Sequence, residues 1–268
     1  MKFAFFGTDN FAVIVLNTLK EHGLIPALVV TTPDKPVGRK QIITPPPSKV
    51  WAIENNVPVI QPTSLKEIPA ELKAGFDVFV TASYGKIIPQ NILDLPSHGS
   101  LNIHPSLLPK YRGPAPLEYT LLNGDTETGV TIMQMDAKMD EGPILAVAKI
   151  GLTGSETYFD LRDNLAKLGA NTLANVLPDY ISGKLKPTAQ DQTAATYTKF
   201  ITKADGEVDP FNDQTKAWHK YRAFIDWPGV WFIKDGKRIV IKKAHFENNQ
   251  FIVERVIPEG KTETNWPI

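Results

Sequence analysis

The feature that most constrains this chain is the alternation, over roughly its first 120 residues, of short apolar runs with stretches of helical period. Lys2 to Phe6 is an apolar run ending at Gly7, and Phe11 to His22 then carries apolar residues at helical spacing, which predicts a strand, a turn and a helix. Leu24 to Thr32 reads as a second strand, Val57 to Ile60 as a short third and Phe76 to Ser83 as a fourth, with helical stretches near Ser48 to Asn55 and Ser64 to Lys73. Parallel strands need a long crossover between them, usually a helix, so this order implies a mostly parallel sheet with helices on its faces. Leu101 to His104 makes a fifth strand and Ala115 to Leu122 a helix. Gly129 to Met135 and Ile144 to Ile150 add two strands, and a long amphipathic helix from about Thr157 to Tyr180 closes an α/β domain of Rossmann-like type.

From about Pro187 to Ala204 the pattern turns polar, rich in Thr and Gln and without period, which predicts a linker on the surface. Beyond it lie a helix near Asp213 to Phe224 and two apolar runs, Val230 to Lys234 and Lys237 to Lys243. Asp235-Gly236 joins those runs and suits a type I′ hairpin, because both central residues of that turn need positive φ. The expected division is a catalytic domain over 1–187, a linker over 188–204 and a small β-rich domain over 205–268.

With 268 residues, 42% hydrophobic and 22% charged, the chain can bury a core and is neither disordered nor fibrous. Its 29 basic residues balance 29 acidic ones, so a nucleic-acid partner must be held by a local patch and not by the field of the whole molecule. The absence of Cys removes disulfides, thiolate nucleophiles and Cys-ligated zinc, and suits the reducing cytoplasm. Asp9 and Asn10 interrupt the opening apolar run, which therefore reads as a strand and not a signal peptide. No apolar stretch approaches the roughly 18 to 20 residues that span a bilayer, so no membrane partner is expected.

The strongest local signal is the run Leu101-Asn102-Ile103-His104-Pro105-Ser106-Leu107-Leu108-Pro109. Side chains two apart on a strand share a face, so Asn102 and His104 point together at the carboxyl end of a strand, where open α/β sheets place their sites. An amide donor and an imidazole there can stabilise the tetrahedral intermediate of an acyl transfer. A carboxylate that orients the imidazole completes the set. Asp140, in the turn between Met135 and Ile144, can return to that edge, and Asp136 competes with it. Tyr111-Arg112-Gly113 and Gly129-Val130-Thr131-Ile132-Met133-Gln134-Met135-Asp136 follow the run, leading to Asp140-Glu141-Gly142.

These blocks, with Gly7-Thr8, Phe11-Ala12, Pro33-Asp34-Lys35-Pro36, Gly38-Arg39, Ala82-Ser83-Tyr84-Gly85 and Ile88-Pro89, give a chain that resembles the folate-dependent formyltransferases over nearly its whole first domain. Thr-Ile-Met-Gln-Met and the Pro-Asp-Lys-Pro loop favour the branch whose acceptor is initiator methionyl-tRNA. The resemblance implies attack of the methionyl amino group on the formyl carbon of 10-formyltetrahydrofolate. Asn102 and His104 would stabilise the oxyanion, Asp140 would pair His104 and help move the amine proton, and no metal is called for. The pterin of the folate would lie along Ser106, Leu107, Leu108 and Pro109 and against Tyr84, Gly85, Ile87, Ile88 and Pro89.

For the tRNA, the resemblance assigns the loop Pro33 to Lys49, with Lys35, Arg39 and Lys40, to the acceptor end, and it adds Arg112. The basic hairpin with Lys237 and Arg238 is suited to follow a phosphate backbone. The chain is expected to act as a monomer. Two departures stand out. The first turn reads Gly-Thr-Asp-Asn-Phe where the family shows Gly-Thr-Pro-Asp-Phe. Only about sixty residues follow the linker where the family has an oligonucleotide-binding barrel of roughly a hundred, so a reduced barrel or open sheet is expected. The rivals are an amino sugar nucleotide or glycinamide ribonucleotide as acceptor, hydrolysis of formylfolate, a non-catalytic RNA-binding module, and a dinucleotide-dependent oxidoreductase. The last lacks Gly-x-Gly-x-x-Gly after the first strand.

Overall fold

Seven short strands do assemble into one sheet, and the ends of three of them build the candidate site. In a computed structural model of the chain, which describes residues 1–38 and 40–267, the first elements are β1 (Phe3–Phe6), α1 (Asn10–Glu21), β2 (Leu28–Val30), β3 (Lys35–Val37), β4 (Ile42–Thr44), α2 (Pro47–Glu54), β5 (Val59–Ile60) and β6 (Val78–Thr81). There follow α3 (Gln90–Leu93), β7 (Ser100–His104), α4 (Pro116–Leu122), β8 (Glu127–Gln134), β9 (Ile144–Gly151) and α5 (Tyr158–Ile181). The chain ends with α6 (Gln214–Ala223), β10 (Val230–Lys234), β11 (Lys237–Glu247), β12 (Gln250–Pro258) and β13 (Thr264–Asn265). It divides into two compact units, one of residues 1–112, 129–149 and 163–196, the other of residues 113–128, 150–162 and 197–268.

The large sheet has the order β5-β2-β1-β6-β7-β8-β9. β1 pairs in parallel with β2 and β6, β2 with β5 and β6 with β7, while β8 runs antiparallel to β7. The chain leaves β1 toward β2 on one side and returns as β6 on the other, so the strand order reverses between β1 and β6. A crevice opens at such a reversal, outside the carboxyl ends of the strands. All four residues of β1 are buried, as a central strand covered on both faces requires. Phe5, Phe6 and Phe79 are among the largest fully buried side chains, each contributing about 1.5–3 kcal/mol by burial.

The first turn explains its own departure. A Cβ on Gly7 would lie 2.6 Å from Ala12 Cβ and 2.8 Å from the Ala82 oxygen, so only glycine lets the strand turn so closely into α1. Asp9 is the N-cap of α1, accepting from the Ala12 N–H at 3.2 Å, and it also accepts from the Ser83 hydroxyl at 2.5 Å. Thr8 donates its N–H to the Ser83 oxygen and its hydroxyl to the Tyr84 oxygen. Residues 7 to 9 thereby fix the 83–85 turn at the end of β6.

Two expectations change. The helix expected over Ser64 to Lys73 is only a 3₁₀ turn, Ala70–Lys73, because Pro69 stands where a continuous helix would need its N–H. The Pro-rich loop Pro33 to Lys49 contains a hairpin, β3 paired with β4, that leaves Val37, Ile42 and Ile43 exposed. Against the site strands, α5 packs closely at Gly169, where a Cβ would meet Ile103 Cγ2 at 2.4 Å.

In the other unit α6 lies on an open antiparallel sheet of order β10-β11-β12-β13. Asp235 and Gly236 take φ of 51° and 72°, as the type I′ reading requires, and Asn248 and Asn249 make a second turn at 50° and 60°. Trp218 stacks on Tyr221 and Phe246, and the Tyr221 hydroxyl accepts from the Ala244 N–H. His219 places Nδ1 3.3 Å from the Leu122 oxygen, beside Gly124, where a Cβ would lie 2.3 Å from the imidazole.

Burial, reinforced by the charge of Arg222, holds the His219 imidazole below its ordinary value of 6.5. The unfolded chain therefore takes up a proton near 6.5 that the folded chain resists, and stability falls as pH drops below that point. The thermal midpoint should decline between pH 6.5 and 5, and His219→Gln should flatten that decline, read by melts at half-unit pH steps. An unchanged slope in the variant contradicts this account.

Candidate active site

Strand β7 carries the site because its register sets two side chains at the crevice. Asn102 lies opposite Met133 and beside Thr81, and His104 lies opposite Thr131. The strand ends at Pro105, whose fixed φ and missing N–H suit a strand end. Thr131 then holds the next turn, donating to the Ser106 oxygen at 2.7 Å and accepting from the Leu108 N–H at 3.1 Å. The Ser106 hydroxyl donates to the Lys110 oxygen at 2.6 Å. Gly129 is needed beneath this turn, since a Cβ there would meet Leu107 Cδ2 at 2.5 Å and the Ala148 oxygen at 2.1 Å.

His104 is 4% exposed. Its Nε2 lies 3.0 Å from the Tyr111 oxygen and its Nδ1 3.8 Å from Asp140 Oδ2. Both ring nitrogens thus face oxygen atoms. The Asp140 contact is within ion-pair range but about 0.6 Å too long for a hydrogen bond. Of the two competing carboxylates, Asp140 is the one that meets His104, whereas Asp136 accepts from the Lys138 N–H in its own turn. Asp140 sits at φ 54°, in the left-handed region.

The other expected site residues divide. Ser106 and Leu108 are buried beside His104, with Leu107 and Pro109 partly exposed. Tyr84 and Ile88 belong to the core, packed with Phe6, Leu72, Phe79 and Ile92, so their side chains are not walls for a ligand. Burial pushes the Tyr84 hydroxyl up to about 12. What the segment turns outward is Gly85, at φ 76°, and Ile87, which is 83% exposed, with Pro89 between core and surface.

Lys35, Lys40, Lys237 and Arg238 are exposed, and the Arg238 guanidinium lies 4.3 Å over the Trp231 ring. Arg39 lies outside the described residues. Arg112 requires a correction. It is fully buried, so it is no surface contact for a phosphate backbone. Its Nε and Nη2 donate to Gln190 Oε1 at 3.1 and 2.7 Å, its Nη1 donates to Gln192 Oε1 at 2.9 Å, and Glu141 lies 3.8 Å away.

Gln190 and Gln192 fall in the segment read as a surface linker, yet Gln190 is buried and Thr196 accepts and donates along residues 109–112. No periodicity flags them. The only hint is a pair of glutamines flanking Asp191 in a stretch otherwise short of long polar side chains. Among the described residues no group of three or more His, Cys, Asp or Glu side chains is placed to hold a metal ion. Nor is any helix among them long and apolar enough to cross a membrane.

An imidazole 3.8 Å from a carboxylate, with an amide two residues before it on the same strand, is an arrangement able to stabilise the oxyanion of a carbonyl under attack. The chain belongs to the formyl transferase family: the Formyl transferase domain matches over residues 1–177 and the Formyl transferase C-terminal domain over residues 200–263. It is 41% identical over 262 residues to the methionyl-tRNA formyltransferase of Myxococcus xanthus, covering 97% of this chain and 84% of that one. To the methionyl-tRNA formyltransferase of Halalkalibacterium halodurans it is 40% identical over 245 residues, covering 90% and 77%.

Among solved structures, the methionyl-tRNA formyltransferase from Clostridium thermocellum superposes with a TM-score of 0.62 at 16% identity, over 96% of this chain and 98% of that one. The N-formyltransferase from Helicobacter canadensis, in complex with folinic acid and dTDP-3-aminofucose, superposes with a TM-score of 0.67 at 20% identity, over 92% and 88%. Those two likenesses are of fold.

Proposed function

We propose that this chain transfers the formyl group of 10-formyltetrahydrofolate to the amino group of initiator methionyl-tRNA, working as a monomer in the cytoplasm. The observation that carries the reaction is the approach of His104 Nδ1 and Asp140 Oδ2 to 3.8 Å at the end of β7, on the strand that also carries Asn102 two residues earlier. The acceptor is supported by relatives of about 40% identity that bear the name methionyl-tRNA formyltransferase.

The folate fits what the site offers. Ser106 to Pro109 form a turn held by Thr131, and Gly85 and Ile87 lie at the end of β6, giving a flat heterocycle apolar surface and backbone polar groups. Because Nε2 of His104 is occupied by the Tyr111 oxygen, the ring edge left for the substrate is the Nδ1 side, next to Asp140. The formyl carbon then lies among Nδ1, the Asp140 carboxylate and the Asn102 amide. As the amine attacks, Asn102 and His104 donate toward the developing oxyanion, and Asp140 takes up the proton that the amine loses. Collapse returns the electron pair to the carbonyl and breaks the bond to the folate nitrogen, which takes up the proton held by Asp140 as it leaves. The exposed cations Lys35, Lys40, Lys237 and Arg238 serve the tRNA backbone, which they can hold without reading sequence.

The test is an acceptor comparison with 10-formyltetrahydrofolate as donor. Methionyl-tRNA, a dTDP-amino sugar, glycinamide ribonucleotide and no acceptor are offered in parallel. Formyl-methionyl-tRNA as the dominant product is expected, and preference for a sugar amine, or release of formate alone, overturns the reading.

A further inference from the structure

Gln190 stands far along the chain from the site, yet it makes the contacts that shape the Asp140 turn. Its Oε1 accepts from Arg112 Nε and Nη2, and its Nε2 donates to the Asp140 oxygen at 2.8 Å and the Gly142 oxygen at 2.7 Å. The orientation of the amide is fixed by this chemistry. Reversed, its NH₂ would face two guanidinium N–H groups and its oxygen two carbonyls. Arg112 is fully buried and further held by Gln192, so the Gln190 side chain is anchored at one end before it grips the turn with the other.

The gripped turn has little conformational choice. Asp140 is held at φ 54°, which an unassisted aspartate adopts only at a cost. Gly142 is pressed so closely to β8 that a Cβ would lie 1.9 Å from the Gln134 oxygen. Two donors on the carbonyls that flank Glu141 keep the Asp140 carboxylate turned toward His104.

We infer that Gln190 is a positioning residue for the formyl transfer, acting through Asp140, with Arg112 as its anchor. The inference rests on the role assigned above to Asp140. Gln190→Glu separates its two ends. A carboxylate keeps the acceptor for buried Arg112, but sets an oxygen where the two carbonyls need a donor. The Arg112 side therefore stays intact while the Asp140 turn is released. Gln190→Leu removes both ends and leaves a buried guanidinium short of acceptors, so it is the variant in which folding suffers most.

The experiment measures kcat, both KM values and the thermal midpoint for wild type, Gln190→Glu, Asp140→Asn and the double variant, in formyl transfer to methionyl-tRNA. Gln190→Glu is expected to stay folded with a lower thermal midpoint than wild type, hold both KM values within about twofold and lose about 10²-fold in kcat, the usual cost of misplacing a reacting group by an ångström. The double variant is expected to be no slower than Asp140→Asn alone, because residues acting through one group are not additive. A wild-type kcat in Gln190→Glu overturns the inference, as do losses that multiply in the double variant. Should Asp140→Asn itself keep full rate, the role of Asp140 falls, and the inference falls with it; a slow Asp140→Asn beside a fast Gln190→Glu removes the inference alone.

Discussion

His104→Ala is expected to lower kcat for formyl transfer by about 10²- to 10³-fold, the range for loss of an oxyanion donor, while the KM for the folate stays within a few-fold. The imidazole is buried, held at Nε2 by the Tyr111 oxygen and faced at Nδ1 by Asp140, so its place at the end of β7 is fixed. Asn102→Ala is expected to cost about 10²- to 10³-fold, as removal of one oxyanion donor does. Steady-state kinetics with methionyl-tRNA, together with circular dichroism to show that each variant is folded, check both. A shared loss of kcat with unchanged KM marks groups that act in the transition state. A His104→Ala enzyme of ordinary rate would remove the mechanism and leave the fold untouched.

The second large effect is expected at Gly142→Ala. The added methyl would lie 1.9 Å from the Gln134 oxygen and 3.2 Å from Met133 Cε, and backbone cannot give way as a flexible side chain can. At this point the Gln134 N–H donates to the Pro143 oxygen and closes the base of the loop that carries Asp140. The loop must shift by an ångström or more, so about 1–3 kcal/mol of stability is lost to overpacking, and kcat falls about 10²-fold as the carboxylate moves from His104. Thermal melts and kinetics report the two effects, and Gly151→Ala is the control, since a Cβ there meets nothing within 4 Å. A Gly142→Ala enzyme of normal stability and rate would mean that the loop is not held as described.

How much of this is legible in the sequence depends on where the signal is local. β1, α1, β6 and β7 follow from period and from Gly7, because a central strand and its following helix each bury a continuous face. The shared direction of Asn102 and His104 follows from strand geometry alone, and of the two carboxylates that the sequence offers, Asp140 before Asp136, it is Asp140 that lies 3.8 Å from the imidazole.

Other features depend on distant contacts. Tyr84 and Ile88 resemble ligand walls in a motif, but the core between β6 and α3 takes them. Arg112 looks like a surface cation until the chain brings Gln190 and Gln192 to it from about 80 positions away. β12 escapes the eye because its buried residues, Phe251, Val253 and Val256, change phase where the bulge of β11 at Lys243 disturbs the pairing. The Asn248-Asn249 turn before it lacks the glycine that marks the earlier hairpin.

The claim on which the account turns is that an imidazole and a carboxylate brought together at the end of β7 move a formyl group to an amine. Single-turnover transfer from 10-formyltetrahydrofolate to methionyl-tRNA, followed by rapid quench with wild type and Asp140→Asn, tests it most directly. The account predicts that both bind the two substrates alike and that the variant's transfer step is slower by about 10²-fold or more. Transfer at the wild-type rate by folded Asp140→Asn would contradict it.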